Sequence, residues 1–300
     1  MKTLGMVALL VLAAGTGCQK ADDDSLVTYG RENNSGTYMY FKEHVLAEAD
    51  FAPTVQTLPG TAAVINAVSK DKRSIGYGGI AYSKGVKALP VKKDAASPAI
   101  QPTQENVVKG TYPISRSLFF YTIGEPEPRL KHFIDWARSP EGQKVCADVG
   151  YYPLPEGKGS AAPAGPAPSK DRITIKGSDT MVILGGKWAE RYMQNNPGTV
   201  LQITGGGSGT GIKALIDGET HICQSSRPIK PKEKEQIKAK HGKDVVEFAV
   251  ALDGLAVFVH ESNPIREISI EQLKAIYTGK VKSWRELDGS APGVAPPKGP

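Results

Sequence analysis

In the second half of the chain, strand-like segments end at turns of small residues, and a helical pattern follows each turn. Residues 172–175 alternate apolar and polar side chains, and the turn at 177–180 leads into a helical pattern over 181–195. Residues 200–204 likewise run into a glycine-rich loop, 205–211, and a short helix. Repeated strand–turn–helix units are typical of a parallel sheet with crossover helices. The pattern therefore predicts an α/β fold.

The first half of the chain follows the same plan. The pattern predicts a strand over residues 26–29, a turn over 31–37 and a helix over 38–48. Further elements are predicted as strands at 74–78, 117–122 and 248–260, and as one or two helices over 128–149. No sequence repeat accompanies this recurring plan, so the two halves share an architecture and not a sequence.

A stretch rich in Pro, Gly, Ala and Ser lies between the two halves. Residues 156–170 contain no large apolar side chain, which is typical of a flexible surface tether. The tether divides the chain into a first segment, about 22–155, and a second, about 171–300. A length of 300 residues is also more than one typical domain, so two lobes or one large α/β unit is expected.

The N-terminus has the pattern of an export signal. One lysine precedes an apolar run over residues 4–14, and small residues lead to Cys18. The run is too short for a membrane span. A cysteine after small residues resembles the bacterial lipoprotein signal, which implies a signal peptide over 1–18 and lipidation of Cys18. The alternative is ordinary secretion with an incidental cysteine, because Gly15 stands where that signal usually carries leucine.

Charge and the remaining cysteines add limited information. The net charge is +6, but the lysines are scattered among Glu and Gln, as on a solvated helix face, so no nucleic-acid partner is predicted. A basic protein still attracts anions. Cys146 and Cys223 either form one disulfide or remain as buried thiols, and no cluster with metal-ligand spacing is present.

Three turns combine small hydroxyl residues, glycine and the start of a helix. They are Ser178-Asp179-Thr180, Gly207-Ser208-Gly209-Thr210 and Asn34-Ser35-Gly36-Thr37. The start of a helix leaves unpaired backbone N–H groups and a partial positive charge, which favour an anion. Arg31 precedes one of the turns and offers a planar fork to an oxyanion. The alternative for each single turn is simple helix capping, and for Arg31 a surface ion pair.

The sequence lacks the motifs of common nucleotide-binding and catalytic sites. A nucleotide P-loop ends in Gly-Lys-Ser/Thr, but Gly211 is followed by Ile212-Lys213-Ala214, and no register of the loop gives the dinucleotide fingerprint. Ser208 lacks a nucleophile elbow with a matching histidine, and the histidines lack HExxH spacing. No enzyme activity and no cofactor are therefore predicted.

Several motifs together resemble one protein family. They are Gly177-Ser178-Asp179-Thr180-Met181, the loop 205–211, Ser225-Ser226-Arg227-Pro228, Ile276-Tyr277-Thr278-Gly279-Lys280-Val281 with Trp284, Arg31-Glu32-Asn33-Asn34-Ser35-Gly36-Thr37 and Gly76-Tyr77-Gly78. This set resembles the phosphate-binding proteins of bacterial ABC importers, a branch of the type II periplasmic binding proteins. The resemblance implies two α/β lobes with a ligand cleft between them.

The order of the motifs differs from that family's usual order. The segment that begins near Arg172 usually comes first, so the chain resembles a circular permutant. The resemblance then implies one continuous lobe over 111–253, which contains the tether 156–170. The other lobe is assembled from 22–110 and 254–300.

The resemblance also implies the ligand-binding residues. Thr180, Met181 and Ser208 would bind from one lobe, and Arg31, Ser35, Gly36 and Thr37 from the other. Ser226 stands where the family usually has a carboxylate that accepts the proton of monohydrogen phosphate. Asp179 or Asp253 would replace that acceptor, the alternatives being a helix cap and a turn residue. Gly209 is a further candidate, as is Arg227, which either adds positive charge or forms a structural ion pair.

These expectations predict a protein that binds and delivers a ligand without catalysing a reaction. Inorganic phosphate docks on one lobe, the other lobe closes over it, and an ABC transporter permease recognises the closed form of this cell-envelope protein, which a lipid anchor holds to the membrane. One alternative is another tetrahedral oxyanion such as sulfate, molybdate or tungstate. Two others are hydrolysis of a phosphate ester and an extracellular signalling or adhesion role.

Overall fold

The computed structural model describes residues 25–165 and 172–287. Its strands are β1 Val27–Arg31, β2 Gln56–Leu58, β3 Ser74–Gly79, β4 Lys87–Leu89, β5 Val91–Lys92, β6 Ser115–Ile123, β7 Arg172–Gly177, β8 Val200–Thr204, β9 Ile222–Ser225, β10 Val245–Val259 and β11 Ile268–Ser269. Its helices are α1 Gly36–His44, α2 Thr61–Val68, α3 Gln104–Val108, α4 Pro128–Arg138, α5 Pro140–Val149, α6 Val182–Asn195, α7 Ser208–Asp217, α8 Pro231–His241 and α9 Ile270–Tyr277. Short 3-10 helices span Ile80–Tyr82, Asp179–Met181 and Trp284–Leu287. The α/β class predicted from the sequence is confirmed.

Local sequence signals explain several element boundaries. The helical stretch predicted over 128–149 is two helices, because Ser139 caps α5 and Pro140 occupies its first position. Gly150 ends α5 with a φ of 95°, in the left-handed region that favours glycine. The helix predicted over 38–48 begins earlier, at Gly36, because the Ser35 hydroxyl caps it.

The main sheet is mixed and not wholly parallel as the sequence predicted. Its strand order is β2-β1-β3-β10-β6-β9-β7-β8, with β4 also paired to β10. At one side β1 pairs in parallel with β2 and β3, and at the other β7 pairs in parallel with β8 and β9. In the centre β10 runs antiparallel to β3, β4 and β6, and β6 runs antiparallel to β9.

The long strand β10 connects the two parallel groups. Its residues from Val245 to Gly254 pair with β6, and those from Leu255 to Val259 pair with β3. The change of partner falls at Gly254. This strand therefore belongs to both parts of the sheet, the part with β1–β3 and the part with β6–β9.

Two large hydrophobic clusters lie on either side of this change of partner. One contains Phe41, Tyr77 and Tyr277, with the Phe41 and Tyr77 rings stacked at 4.0 Å between centroids. The other contains Phe120 and Trp188, whose rings meet edge to face at 5.7 Å. The first cluster draws mainly on residues 22–110 and 254–300, and the second on residues 111–253. The division into two lobes itself stays a prediction.

The two ends of the described chain lie side by side. Ser25 forms a β-bridge with Ser283, and the Leu26 N–H donates to the Lys282 carbonyl at 2.8 Å. The predicted tether is partly fixed at its start, where Arg138 bonds the Lys158 carbonyl and its own carbonyl accepts the Ser160 N–H. Residues 166–170 of the tether lie outside the described part.

Three further expectations concern cysteines and membranes. Cys146 and Cys223 are free and buried, and burial raises the pKa of both thiols, so the disulfide alternative is wrong. The predicted signal peptide and Cys18 lie outside the described residues. Among the described helices, none has the length and apolar character that a membrane span requires.

Candidate anion-binding site

The first of the three turns begins α1. The Ser35 hydroxyl accepts the N–H groups of Thr37 and Tyr38, at 3.2 and 3.4 Å, and so acts as the N-cap. Ser35, Gly36 and Thr37 are all buried. The capping alternative is thus correct as a description of Ser35, and the capped turn faces the interior.

The second turn follows β7 and meets the first. A short 3-10 helix, Asp179–Met181, leads into α6, and both Thr180 and Met181 are buried. The Thr180 hydroxyl lies 2.9 Å from the Thr37 hydroxyl, although 143 positions separate the two residues. Two helix beginnings from distant parts of the chain therefore touch through their hydroxyl groups.

The third turn, the glycine-rich loop, closes the cluster from another side. The Gly209 N–H donates to the Asn34 carbonyl at 2.9 Å, and the Asn34 side-chain amide donates to the Gly206 carbonyl at 2.9 Å. Gly207, with a φ of 91°, precedes Ser208 at the start of α7. The loop is thus bonded directly to the turn that begins α1.

Ser226 extends the cluster from the end of β9. Its hydroxyl accepts a hydrogen bond from the Ser178 hydroxyl at 2.9 Å and lies 3.4 Å from the Ser208 hydroxyl. The Ser226 N–H donates to Ser208 Oγ at 3.1 Å. Ser178, Ser208 and Ser226 are all at most 1% exposed. Ser178 belongs to the predicted turn, but it was not among the predicted ligand-binding residues.

Arg31 points into the same region. Its guanidinium donates from Nη2 to Asp179 Oδ2 at 2.9 Å and from Nη1 to Thr61 Oγ1 at 2.8 Å. Nε donates to Glu32 Oε2 at 2.9 Å. The Arg31 side chain is only 1% exposed, so the surface ion-pair alternative is wrong.

Asp179 connects Arg31 with the glycine-rich loop. While Oδ2 accepts from Arg31, Oδ1 accepts the Gly206 N–H at 2.8 Å. Its side chain is 20% exposed, unlike the fully buried carboxylate of Asp253. Asp179 therefore bridges two elements of the cluster.

An arginine that sequence reasoning missed lies beneath the cluster. Arg116, at the start of β6, donates to Thr37 Oγ1, to the Ser226 carbonyl and to Asp253 Oδ2. Its side chain is 1% exposed. The one sequence signal was an arginine at the edge of the otherwise apolar strand predicted at 117–122.

Asp253 is part of a strand and not of a turn. It lies within β10, where it accepts from Arg116 and from the Ile80 N–H at 3.2 Å. Burial raises the pKa of this carboxyl group, while the charge of Arg116 opposes the rise. The turn alternative for Asp253 is wrong.

The structure places Arg227 in a structural ion pair. Its guanidinium donates to both carboxylate oxygens of Glu233, at 2.9 and 2.7 Å, and to the Pro228 carbonyl. Arg227 lies next to Ser226 in sequence, but its guanidinium bonds Glu233 and not the cluster. Of the two alternatives for this residue, the structural pair is the one observed.

The cluster contains groups that can hold an oxyanion. It combines hydroxyl groups, backbone N–H groups at helix beginnings and a buried guanidinium, which are donors for an oxyanion. The chain has five histidines, and all of them are among the described residues. His132, His221 and His241 bond Tyr192, Thr174 and the Ile216 carbonyl. His44 packs against the Tyr40 ring, and His260 bonds Ser262. Among the described residues, no group of His, Cys, Asp and Glu side chains could hold a metal ion.

A family model and several known proteins match this chain. The model described as PBP superfamily domain matches residues 19–141 and 162–300. The phosphate-binding protein PstS 2 of Streptococcus agalactiae is 30% identical over 94% of this chain and 95% of its own length. The phosphate-binding protein PstS of Pseudomonas aeruginosa is 39% identical, but over 42% of this chain and 41% of its own.

A solved structure agrees with these matches. The crystal structure of a phosphate-binding protein of a phosphate ABC transporter from Streptococcus pneumoniae is 26% identical to this chain. The superposition covers 88% of this chain and 100% of that one, with a TM-score of 0.68.

Proposed function

The chain belongs to the PBP superfamily and to its phosphate-binding proteins, and we propose that it captures inorganic phosphate and delivers it to an ABC importer. One observation carries the proposal: three helix beginnings from distant segments meet in one buried cluster that also contains Arg31. The names of the streptococcal and Pseudomonas relatives support phosphate as the ligand.

The ligand would be held by the residues that meet in the cluster. They are Arg31, Ser35, Gly36, Thr37, Asp179, Thr180, Met181, Ser208, Gly209 and Ser226. Burial of the anion among them strengthens each charge-assisted hydrogen bond, because the surrounding water is excluded. Both carboxylates pair with an arginine, but Asp179 is the better candidate for accepting the phosphate proton, because its side chain is 20% exposed and that of Asp253 is fully buried.

We propose that the two hydrophobic clusters mark two lobes that close on the ligand. One lobe comprises residues 111–253, and the other 22–110 with 254–300. Arg31 and Thr37 then belong to one lobe, and Thr180 and Ser208 to the other. Closure of this kind is a common way in which two-domain binding proteins enclose a ligand.

Replacing Arg31 tests the site. Arg31→Ala should weaken phosphate binding by more than about tenfold, because a buried anion would lose its charged donor. The measurement is titration calorimetry with phosphate and, separately, sulfate and molybdate. Arg191→Ala is the matched control, since Arg191 is 51% exposed and pairs with Glu141 at the surface. An Arg31→Ala protein with unchanged phosphate affinity would refute the site, and tighter binding of sulfate would refute the ligand.

We propose that the segment order is a circular permutation of the family's usual order. The support is the order of the motifs, because the segment that begins near Arg172 follows the segment that begins near Leu26. The adjacent ends at Ser25 and Ser283 are also what a permutation requires.

We propose that Cys18 carries the lipid that anchors the protein outside the cytoplasmic membrane. The support is the sequence pattern at residues 4–18 together with the S. pneumoniae relative's place in a phosphate ABC transporter. Cells fed labelled palmitate should incorporate label into the protein, and Cys18→Ser should abolish it. Equal labelling of both proteins would contradict the anchor.

A further inference from the structure

Arg116 and Asp253 form an ion pair in the interior of the molecule. Nε and Nη2 of Arg116 donate to Asp253 Oδ2 at 3.0 and 2.8 Å. The Arg116 and Asp253 side chains are 1% and 0% exposed. Because the desolvation of two buried charges offsets much of their attraction, such a pair is weak evidence of a stabilising role. Its other contacts are therefore the guide to what it does.

The pair lies where the sheet changes partners. Asp253 and Gly254 are the last two residues of β10 that pair with β6. Leu255, which follows them, is the first that pairs with β3. The second carboxylate oxygen of Asp253 accepts the N–H of Ile80, in the 3-10 helix that follows β3. Asp253 therefore holds Arg116 from a fixed point that contacts both halves of the sheet.

The remaining donors of Arg116 reach the two sides of the anion site. Nη1 donates to the Ser226 carbonyl at 3.1 Å, and Nη2 donates to Thr37 Oγ1 at 3.1 Å. The guanidinium carbon also lies 5.5 Å from the centroid of the Tyr40 ring. With these contacts, the guanidinium has one fixed orientation relative to the turn that begins α1.

The contact with Thr37 restricts the direction of a hydroxyl hydrogen. Arginine has donors and no acceptor, so Thr37 Oγ1 accepts in this bond and its hydrogen points away from Arg116. Thr180 Oγ1 lies 2.9 Å from Thr37 Oγ1, and either hydroxyl can be the donor of that bond. Because its hydrogen is not directed at Arg116, the Thr37 hydroxyl can donate to another oxygen, either that of Thr180 or that of a bound anion.

We propose that Arg116, held by Asp253, is a positioning residue that makes the Thr37 hydroxyl a donor to the bound anion. The inference rests on the proposed function, because it assigns Arg116 a role in the same site. Without Arg116, the hydroxyl could turn its hydrogen elsewhere, and its alignment toward a fully ionised oxygen would be lost.

A cycle of substitutions tests whether Arg116 acts through Thr37. Phosphate affinity is measured by calorimetry for the Arg116→Met, Asp253→Asn double variant, with Thr37 intact and with Thr37→Val. The double variant should lose about tenfold in affinity when Thr37 is intact, because a hydrogen bond to a charged group is weakened. It should lose less than about twofold when the hydroxyl is already absent.

Arg116→Lys is a second variant for the case that the double variant does not fold. It keeps a positive charge next to Asp253, but its single ammonium group cannot reproduce the fork that contacts Asp253, Ser226 and Thr37. Its loss of affinity should also depend on Thr37. Denaturant unfolding of each variant shows whether the native state is retained.

The outcomes separate this inference from the proposed function. Equal losses with and without the Thr37 hydroxyl would assign Arg116 a purely structural role and overturn the inference. No loss in either background would overturn it as well. A wild-type protein that does not bind phosphate would instead refute the proposed function, and this inference would fall with it.

Discussion

Gly36 lies at the closest approach between the turn of α1 and the serine cluster. A Cβ atom at this position would stand 2.3 Å from Ser208 Oγ and 2.7 Å from Ser226 Oγ. Both distances are far shorter than a van der Waals contact, so any larger residue would push the turn away from the serines. Glycine is needed here for space.

Gly36→Ala should therefore weaken phosphate binding by more than about tenfold, because several aligned donors would be displaced together. The matched control is Gly186→Ala in α6, where an added Cβ meets nothing within 4 Å. The control should bind phosphate normally and gain about 0.5–1 kcal/mol in unfolding free energy, since alanine favours helices over glycine. Calorimetry and denaturant unfolding give both quantities. Normal phosphate binding by Gly36→Ala would contradict the proposed arrangement.

Single residues of the site differ in how far the sequence could predict them. Thr180 and Ser208 stand at strand-to-helix turns, so local pattern alone indicated their position. Arg116 has partners 79, 110 and 137 positions away, in Thr37, Ser226 and Asp253. Such distances leave no local signal. Sequence pattern identified the turns, and only the fold shows which side chain lies beneath them.

At the scale of elements, His221 attaches the start of β9 to β7. Its Nδ1 accepts the Thr174 N–H at 3.0 Å, and its own N–H donates to the Thr174 carbonyl. Burial lowers the pKa of His221 below 6.5, and the nearby charge of Arg129 lowers it further, while Glu127 opposes the effect. The bond from Thr174 requires an unprotonated Nδ1.

The sign of the pH effect follows from that lowered pKa. Between the folded-state pKa and 6.5, the unfolded chain binds the proton more readily than the folded protein. The contribution of His221 to stability is thus complete above pH 6.5 and decreases as the pH falls through the folded-state value. Unfolding free energies at pH 7.5 and pH 5 measure it. His221→Gln, which cannot titrate, should lose less stability than the wild type over this range, and an equal loss would contradict the interpretation.

The direction of the central strands could not be predicted from the sequence. Repeated strand–turn–helix units indicated parallel pairing, and β7 with β8 and β9 fits that expectation. β10 has the apolar, β-branched character of a buried strand, but that character does not encode direction. Its antiparallel pairing with β6 joins residues more than a hundred positions apart. The direction of β10 depends on how the first and second halves of the chain pack together, which the local sequence does not encode.

At the scale of the whole molecule, the proposed exchange of segment order is compatible with one fold. The ends of the described chain meet at the bridge between Ser25 and Ser283, next to the core. The described part of the tether contacts the fold at Arg138 and at His132: the Ser160 N–H donates to the Arg138 carbonyl, and the Gly165 carbonyl lies 3.2 Å from His132 Nε2. Neither junction lies within the anion site. The order of connection should therefore matter little for binding.

Reversing the permutation tests this conclusion. Residue 287 would be joined to residue 25 through a short Gly/Ser linker, and the chain would be opened between residues 165 and 172. Because adjacent ends can be joined without strain, phosphate affinity should remain within about threefold of the native order. Arg31→Ala in the reordered chain should weaken binding by more than about tenfold, the same loss that is expected in the present order, if the same site is used. A reordered protein that folds cooperatively in denaturant titration, yet binds phosphate more than about tenfold more weakly, would mean that the present connection itself shapes the site.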